Sequence, residues 1–313
     1  MLSASEIRQQ VESETERRGK LAVPAFAGGM LYLLSAIIIA TTLKGAPTVG
    51  LLQGLAPALK GEAEPAVSPR AAEVTFISHH AFALLTGSTF AAIAVGALTL
   101  ILLLLLDATR FRRPNTFSAA HPLVLFGGIA VAVVSLGHQV VSAIETHNFA
   151  VGHDFSGNAV DQALTKGTAN VIVDYISLLA GLGLAAGMIA VAVNAMRVGL
   201  LPRWMGILGI FTGLLIFLPI GGAELQVVPA FWMVMVGILF VGRWPNGQPP
   251  AWAAGEARPW PPRGAPARAT AAQNGKGRTP AAAAAGDVAP APAPAQPVGA
   301  SSRKRRRKRS ARG

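Results

Sequence analysis

The amino-acid sequence predicts an all-α protein, a polytopic bundle of six transmembrane helices. Apolar residues make up 52% of the chain and charged residues only 13%, about half the charged fraction of an ordinary soluble domain. The apolar residues gather into long runs, and the basic residues gather in alternate gaps between those runs. The predicted spans cover approximately residues 21–43, 81–106, 122–145, 168–196, 204–220 and 227–242.

The first four apolar runs have the length of complete membrane crossings. A spanning helix needs about 20 mostly uncharged residues to cross about 30 Å of hydrocarbon. The last two runs are shorter and carry Pro219 and Pro229 near their outer ends. A re-entrant hairpin is therefore an alternative to two full crossings, and both arrangements return the chain to the side that it left.

The distribution of Lys and Arg predicts the orientation of the helices. With both termini in the cytoplasm, 23 of the 27 basic residues lie inside. An excess of Lys and Arg in cytoplasmic segments is typical of multi-pass membrane proteins. We therefore expect a multi-pass protein of a cell membrane, the inner or plasma membrane of a bacterium. The four basic residues on the outer side are Lys44, Lys60, Arg70 and Lys166.

Residues 1–20 form a polar cytoplasmic segment before the bundle. Ser3 and Glu6 have the spacing of a capping box, which predicts either a short helix along the inner membrane surface or a solvated helical lead-in to the first span. The first apolar run is longer than the signal-peptide core of about 7 to 15 residues, so we interpret it as a retained span. Cysteine is absent, which excludes disulfides and thiolate chemistry.

Residues 21–243 form the predicted transmembrane domain, and residues 244–313 differ from it in composition. The latter segment is rich in Pro, Ala, Gly and Arg, and we expect it to be a disordered cytoplasmic tail. Seven consecutive basic residues near its end favour polyanions, either anionic lipid headgroups or nucleic-acid phosphates. These residues are Arg303, Lys304, Arg305, Arg306, Arg307, Lys308 and Arg309.

Ionisable groups inside the third and fourth spans indicate a candidate functional site. His138 and Glu145 share one stripe of the third span, and Asn170 and Asp174 share one stripe of the fourth. A short outer loop joins the two helices, which predicts antiparallel neighbours. His138 and Asp174 then lie at matching depths, about 10 Å below the outer surface. We expect these two residues either to line a cavity for a proton, an ion or a polar ligand, or to form a structural pair that joins two helices.

Histidine and acidic residues also gather at the outer ends of the spans. Imidazole and carboxylate groups bind divalent metals, but the sequence contains no His-Glu-x-x-His pattern, phosphate-binding glycine loop or nucleophile elbow. An enzyme is therefore the weaker class of hypothesis, and no cofactor can be assigned. The candidate metal ligands are His79, His80, His147, His153 and Asp154.

The run from Val198 to Gly209 contains the motif Leu-Leu-Pro-Arg-Trp-x-Gly. Pro202 begins a helix, Arg203 lies at the inner headgroups and Trp204 lies in the interfacial belt. This run resembles a turn in an uncharacterised bacterial family of six-span integral membrane proteins of unknown function. The resemblance covers residues 21–243. It implies a six-helix bundle, and it implies no activity.

Three functional hypotheses follow from the sequence. The first is transport of a small solute or a proton along the polar stripe between the third and fourth spans. The second is a membrane anchor whose polybasic tail binds anionic lipid or nucleic acid. The third is a metal-dependent membrane enzyme at the outer face. The residues specify neither a cargo nor an oligomeric state.

Overall fold

The structure is a computed structural model, and it describes residues 3–50, 59, 61, 67–114, 117–218, 223–245 and 247–260. The described part of the chain is helical and contains no strand. The helices are α1 (Ala4–Leu43), α2 (Ala71–His79), α3 (Ala81–Arg112), α4 (Ala120–Gly152), α5 (Gly157–Asp161), α6 (Thr168–Val198), α7 (Arg203–Phe217), α8 (Val227–Val241) and α9 (Pro250–Ala254).

Four helical segments are long and apolar enough to cross a membrane, as the sequence predicts. Three are single helices, α1, α3 and α4, of 40, 32 and 33 residues. In the fourth, Gly157–Val198, a π-helical turn at Gln162–Lys166 lies between α5 and α6. The membrane-bundle architecture is therefore supported for these four segments.

The polar N-terminal segment belongs to α1. The Ser3 hydroxyl accepts a hydrogen bond from the Glu6 backbone N–H at 3.3 Å, and the Glu6 carboxylate accepts from the Ser3 N–H at 2.6 Å. The capping box is thus confirmed. The helix that begins there continues without a break to Leu43. The prediction of a helical lead-in to the first span is therefore confirmed, and that of a separate short helix along the inner surface is wrong.

The helices pack in a definite order. Helix α8 packs on α1, α1 on α3, α3 on α4, α4 on α6, and α6 on α7. The predicted contact between the third and fourth spans is confirmed, since α4 and α6 are extensively packed together. Helix α3 is the most buried of the long helices, and Leu98, Leu102 and Leu105 on it are almost fully inaccessible.

Helices α7 and α8 are shorter than the four long helical segments. Each has 15 residues, which corresponds to about 22 Å at 1.5 Å per residue and is less than a complete crossing. A backbone carbonyl near the end of α7, that of Ile216, lies beside Gly181 on α6. Helix α7 therefore packs along the C-terminal part of α6, and the segment of α6 from Thr168 to Ala180 lies beyond the end of α7.

Residues 244–260 fold against the bundle, which corrects the prediction of disorder for this part of the tail. We call them the inner strap. Trp252 on α9 is buried, and its indole N–H donates to the Leu200 carbonyl at 3.0 Å. The Arg258 N–H donates to the Val198 carbonyl at 3.0 Å. The sequence did not indicate this packing, because the average hydropathy of the region is low and only a few of its residues are large and apolar. Residues 261–313 lie outside the described part.

Candidate functional site

The structure brings His138 and Asp174 together. The Nδ1 atom of His138 on α4 lies 3.4 Å from Oδ1 of Asp174 on α6. The two side chains are 48% and 57% exposed, respectively. We call this pair the polar pair. It connects two apolar helices in the part of α6 that lies beyond the end of α7, so one side of the pair is open.

The approach of α4 to α6 positions the polar pair. Gly127 on α4 faces the backbone of α6 so closely that an added Cβ would lie 2.5 Å from the Leu184 nitrogen. On α6, a Cβ at Gly187 would lie 2.8 Å from Val124 of α4. Small residues let helix backbones approach in this way. The ionisable side chains can therefore meet along the same helix pair.

Asn170 does not belong to the polar pair. Its side chain is buried, and Nδ2 donates to the Gln162 and Ala163 carbonyls at 3.4 and 3.2 Å. These carbonyls belong to the π-helical turn, so Asn170 holds that turn on the start of α6. Glu145 is half-buried on α4 and forms no ion pair within the described residues.

Sequence reasoning missed a second polar contact of α4. The Ser88 hydroxyl on α3 donates to Oε1 of Gln139 at 3.4 Å. Gln139 follows His138 directly, so α4 carries polar contacts to both of its neighbours at one level. A glutamine inside a predicted span was the available signal, because uncharged polar groups in spans often bond across helices.

The proposed metal ligands do not come together. Within the described ranges, no group of three or more His, Asp or Glu side chains is arranged to hold a metal ion. His80 stacks on Phe76 with its ring centroid 4.0 Å away, and His153 ends α4 in a left-handed conformation. Asp154 Oδ1 accepts from the Ser156 N–H at 3.0 Å, which lowers the pKa of this carboxyl.

A buried ion pair lies at the opposite end of the bundle. Arg112 at the end of α3 donates to both oxygens of Glu14 on α1, at 2.8 and 2.7 Å. The Arg112 and Glu14 side chains are 0% and 3% exposed. Arg112 also donates to the Ala251 carbonyl of the inner strap at 3.0 and 3.1 Å. This fork geometry joins α1, α3 and the inner strap.

A second arginine is buried beside this ion pair. The guanidinium carbon of Arg18 lies 4.5 Å from the ring centroid of Trp252, and that of Arg112 lies 5.5 Å from it. One Arg18 nitrogen donates to Thr15 at 3.1 Å, while Nε and Nη1 are buried without a partner. Two cations therefore lie against one aromatic ring, and the Glu14 carboxylate is paired with Arg112. Sequence reasoning placed these groups in solvated segments.

Comparison with known proteins adds no identification. No protein-family model, no curated protein and no solved structure matches the chain. The resemblance of the Leu-Leu-Pro-Arg-Trp-x-Gly motif to an uncharacterised bacterial membrane family therefore stays a prediction. The polybasic run Arg303 to Arg309 lies outside the described residues.

Proposed function

We propose that this chain is a multi-pass cell-membrane protein that moves protons, with or without a small solute, through the polar pair of His138 and Asp174. Its N- and C-terminal segments lie in the cytoplasm. Six complete crossings stay a prediction, because α7 and α8 are short enough for the re-entrant alternative.

The exposure of the polar pair carries the proposal. A histidine and an aspartate at membrane depth are expensive unless they face water, a ligand or each other. The contact between the two helices covers only about half of each side chain, so the pair satisfies this requirement only in part. Water or a polar ligand at the open side removes that cost, and both groups can exchange a proton.

Proton flux into vesicles tests this function. The full-length chain is reconstituted in liposomes that contain a pH-sensitive dye, and a potassium diffusion potential drives protons inward. We expect flux above that of empty liposomes for the natural chain, and background flux for Asp174→Asn, which cannot exchange a proton. Ser135→Ala is the matched control, because the Ser135 hydroxyl only donates to the Val131 carbonyl of its own helix at 2.6 Å.

Thermal unfolding in detergent separates function from structure. If Asp174→Asn keeps the flux of the natural chain, the proposal is wrong. If the natural chain carries no flux and Asp174→Asn only lowers the melting temperature, the pair joins two helices and has no transport role. His138→Gln should behave like Asp174→Asn in both measurements.

A second candidate function is a membrane anchor for a cytoplasmic polyanion. The seven consecutive basic residues that end at Arg309 support it, since each basic residue beside an anionic surface contributes about 1 kcal/mol of attraction. Deletion of residues 300–313 should abolish salt-sensitive capture of RNA or of anionic vesicles by the purified chain. Capture that survives the deletion would end this candidate.

A further inference from the structure

A groove of about 450 Å³ lies between the start of α7 and the end of α8. The two helices touch each other far less than they touch α6 and α1, which leaves the groove open between them. Its walls combine apolar and aromatic side chains with one cation. The lining residues are Trp204, Met235, Ile238, Arg243, Trp244 and Pro245.

The polar end of the groove presents donors that lack acceptors. Trp204 and Trp244 stack with their ring centroids 5.7 Å apart, and neither indole N–H donates to an acceptor in the described part of the chain. The other two described tryptophans that pack in the core, Trp232 and Trp252, both donate to backbone carbonyls. The Arg243 side chain is exposed beside this ring pair.

The apolar end of the groove continues along α8. Met235 and Ile238 lie one turn apart and line it before the helix ends at Val241. A ligand that fits this arrangement has an anionic head near Arg243 and an apolar chain beside Met235. Tryptophan and arginine at the end of a spanning helix lie at headgroup level in membranes.

We infer that this groove binds one anionic phospholipid of the inner leaflet. The phosphate accepts hydrogen bonds from Arg243 and an indole N–H, and an acyl chain follows Met235 and Ile238. The inference rests on the membrane placement in the proposed function, but it needs no proton flux. Net charge selects the ligand. Every phospholipid carries a phosphate that can accept hydrogen bonds from Arg243, but the cation of a zwitterionic headgroup repels Arg243, and an anionic headgroup has no such cation.

Native mass spectrometry of the full-length chain tests the site. The protein is released from nanodiscs of phosphatidylcholine that contain phosphatidylglycerol, and bound lipids are counted. We expect one retained phosphatidylglycerol, about tenfold weaker retention for Arg243→Gln because a charge-assisted bond is lost, and a smaller loss for Trp204→Phe. Arg113→Gln is the control, since Arg113 is an exposed cation that does not line the groove.

The alternatives give different results. Equal losses for Arg243→Gln and Arg113→Gln would mean general attraction to the protein surface and would overturn the inference. Equal retention of phosphatidylcholine would also overturn it. Inorganic phosphate added in millimolar excess should not displace the lipid, and displacement would assign the site to a free anion. Background proton flux with retained phosphatidylglycerol would refute the proposed function alone.

Discussion

The Glu14–Arg112 ion pair is a buried contact between α1 and α3 at the end of the bundle where the inner strap packs. Both side chains are out of solvent, so each charge has lost its hydration and depends on the other. The carboxylate is bound in a fork by two guanidinium nitrogens, which is the strongest geometry for such a pair. Removal of one partner leaves the other buried and uncompensated.

Glu14→Gln should therefore destabilise the folded chain strongly. We expect a loss of about 3–5 kcal/mol in the free energy of unfolding, measured by thermal unfolding in detergent. Glu16→Gln is the matched control, because Glu16 pairs with Lys20 on an exposed face of the same helix. Equal melting temperatures for the Glu14→Gln and Glu16→Gln variants would show that the buried pair contributes little to the free energy of unfolding.

The polar pair could be predicted at the residue scale, and the buried ion pair could not. His138 and Asp174 lie on regular helices joined by a short connection, so helical periodicity and depth are enough to bring them together. Glu14 and Arg112 are 98 positions apart and lie at the polar ends of different spans. Periodicity does not specify which groups from two such ends will meet.

At the scale of helices, glycine determines how closely neighbours approach. Gly127 and Gly128 on α4 face α6 and α3, respectively, and a Cβ at either would collide with them. On α1, Gly28 faces both α3 and α8, and Gly29 faces α8. Both spans therefore use adjacent glycines to approach two neighbouring helices, because small residues let helix backbones come close.

Gly127→Ala tests this packing. The added methyl group would meet the backbone of Leu184, which cannot rotate away, so we expect a loss of about 1–3 kcal/mol. Gly137→Ala on the same helix has open space around the new Cβ and should gain about 0.5–1 kcal/mol from helix propensity. Melting temperatures that change in the same direction for both variants would contradict this packing.

The inner strap is an element that composition alone did not reveal. Residues 244–260 contain enough Pro, Gly and Ala to resemble the rest of the tail, but Trp244 and Trp252 bury their rings in the bundle. Gly255 turns in a left-handed conformation against Ile7 of α1. A few buried aromatic residues stabilise a segment even where its average hydropathy is low.

Two truncations separate the inner strap from the remaining tail. A chain that ends at Pro261 keeps the inner strap and should have the same melting temperature as the full-length protein. A chain that ends at Arg243 loses Trp252 and the acceptor that Arg112 uses on Ala251, so we expect destabilisation of at least about 3 kcal/mol. Equal melting temperatures for the two truncated chains would mean that the strap does not support the bundle.

At the scale of the whole molecule, contacts between the connecting segments show which of them lie at the same end of the bundle. The start of α1, the end of α3, the α6–α7 connection and the inner strap meet at one end, where Arg112 and Trp252 make their hydrogen bonds. The Ser68 N–H donates to the Phe155 carbonyl at 2.7 Å and joins two connections of the other end. Both sets agree with the sorting of basic residues that the sequence predicts.

The number of long apolar helices follows from the sequence because hydrocarbon imposes a length and excludes charge. Their ends follow only in part, since α1 begins at Ala4 and α4 ends at Gly152, outside the predicted spans. The sequence does not specify how far α7 and α8 cross, since both runs are close to the minimum length and packing determines their depth. Function is harder to predict from the sequence than the fold is. A polar pair can be located from spacing, but whether it faces water depends on how much of α6 the neighbouring helices cover.

The direct test of the whole account is the side of the membrane on which each end lies. The chain contains no cysteine, so single cysteines can be introduced into the natural sequence and labelled with a membrane-impermeant maleimide in intact cells. We expect labelling of Asn148→Cys, which lies near the outer end of α4, and protection of Gln248→Cys in the inner strap until the cells are opened. Labelling of Gln248→Cys in intact cells, or of both variants equally, would contradict the account.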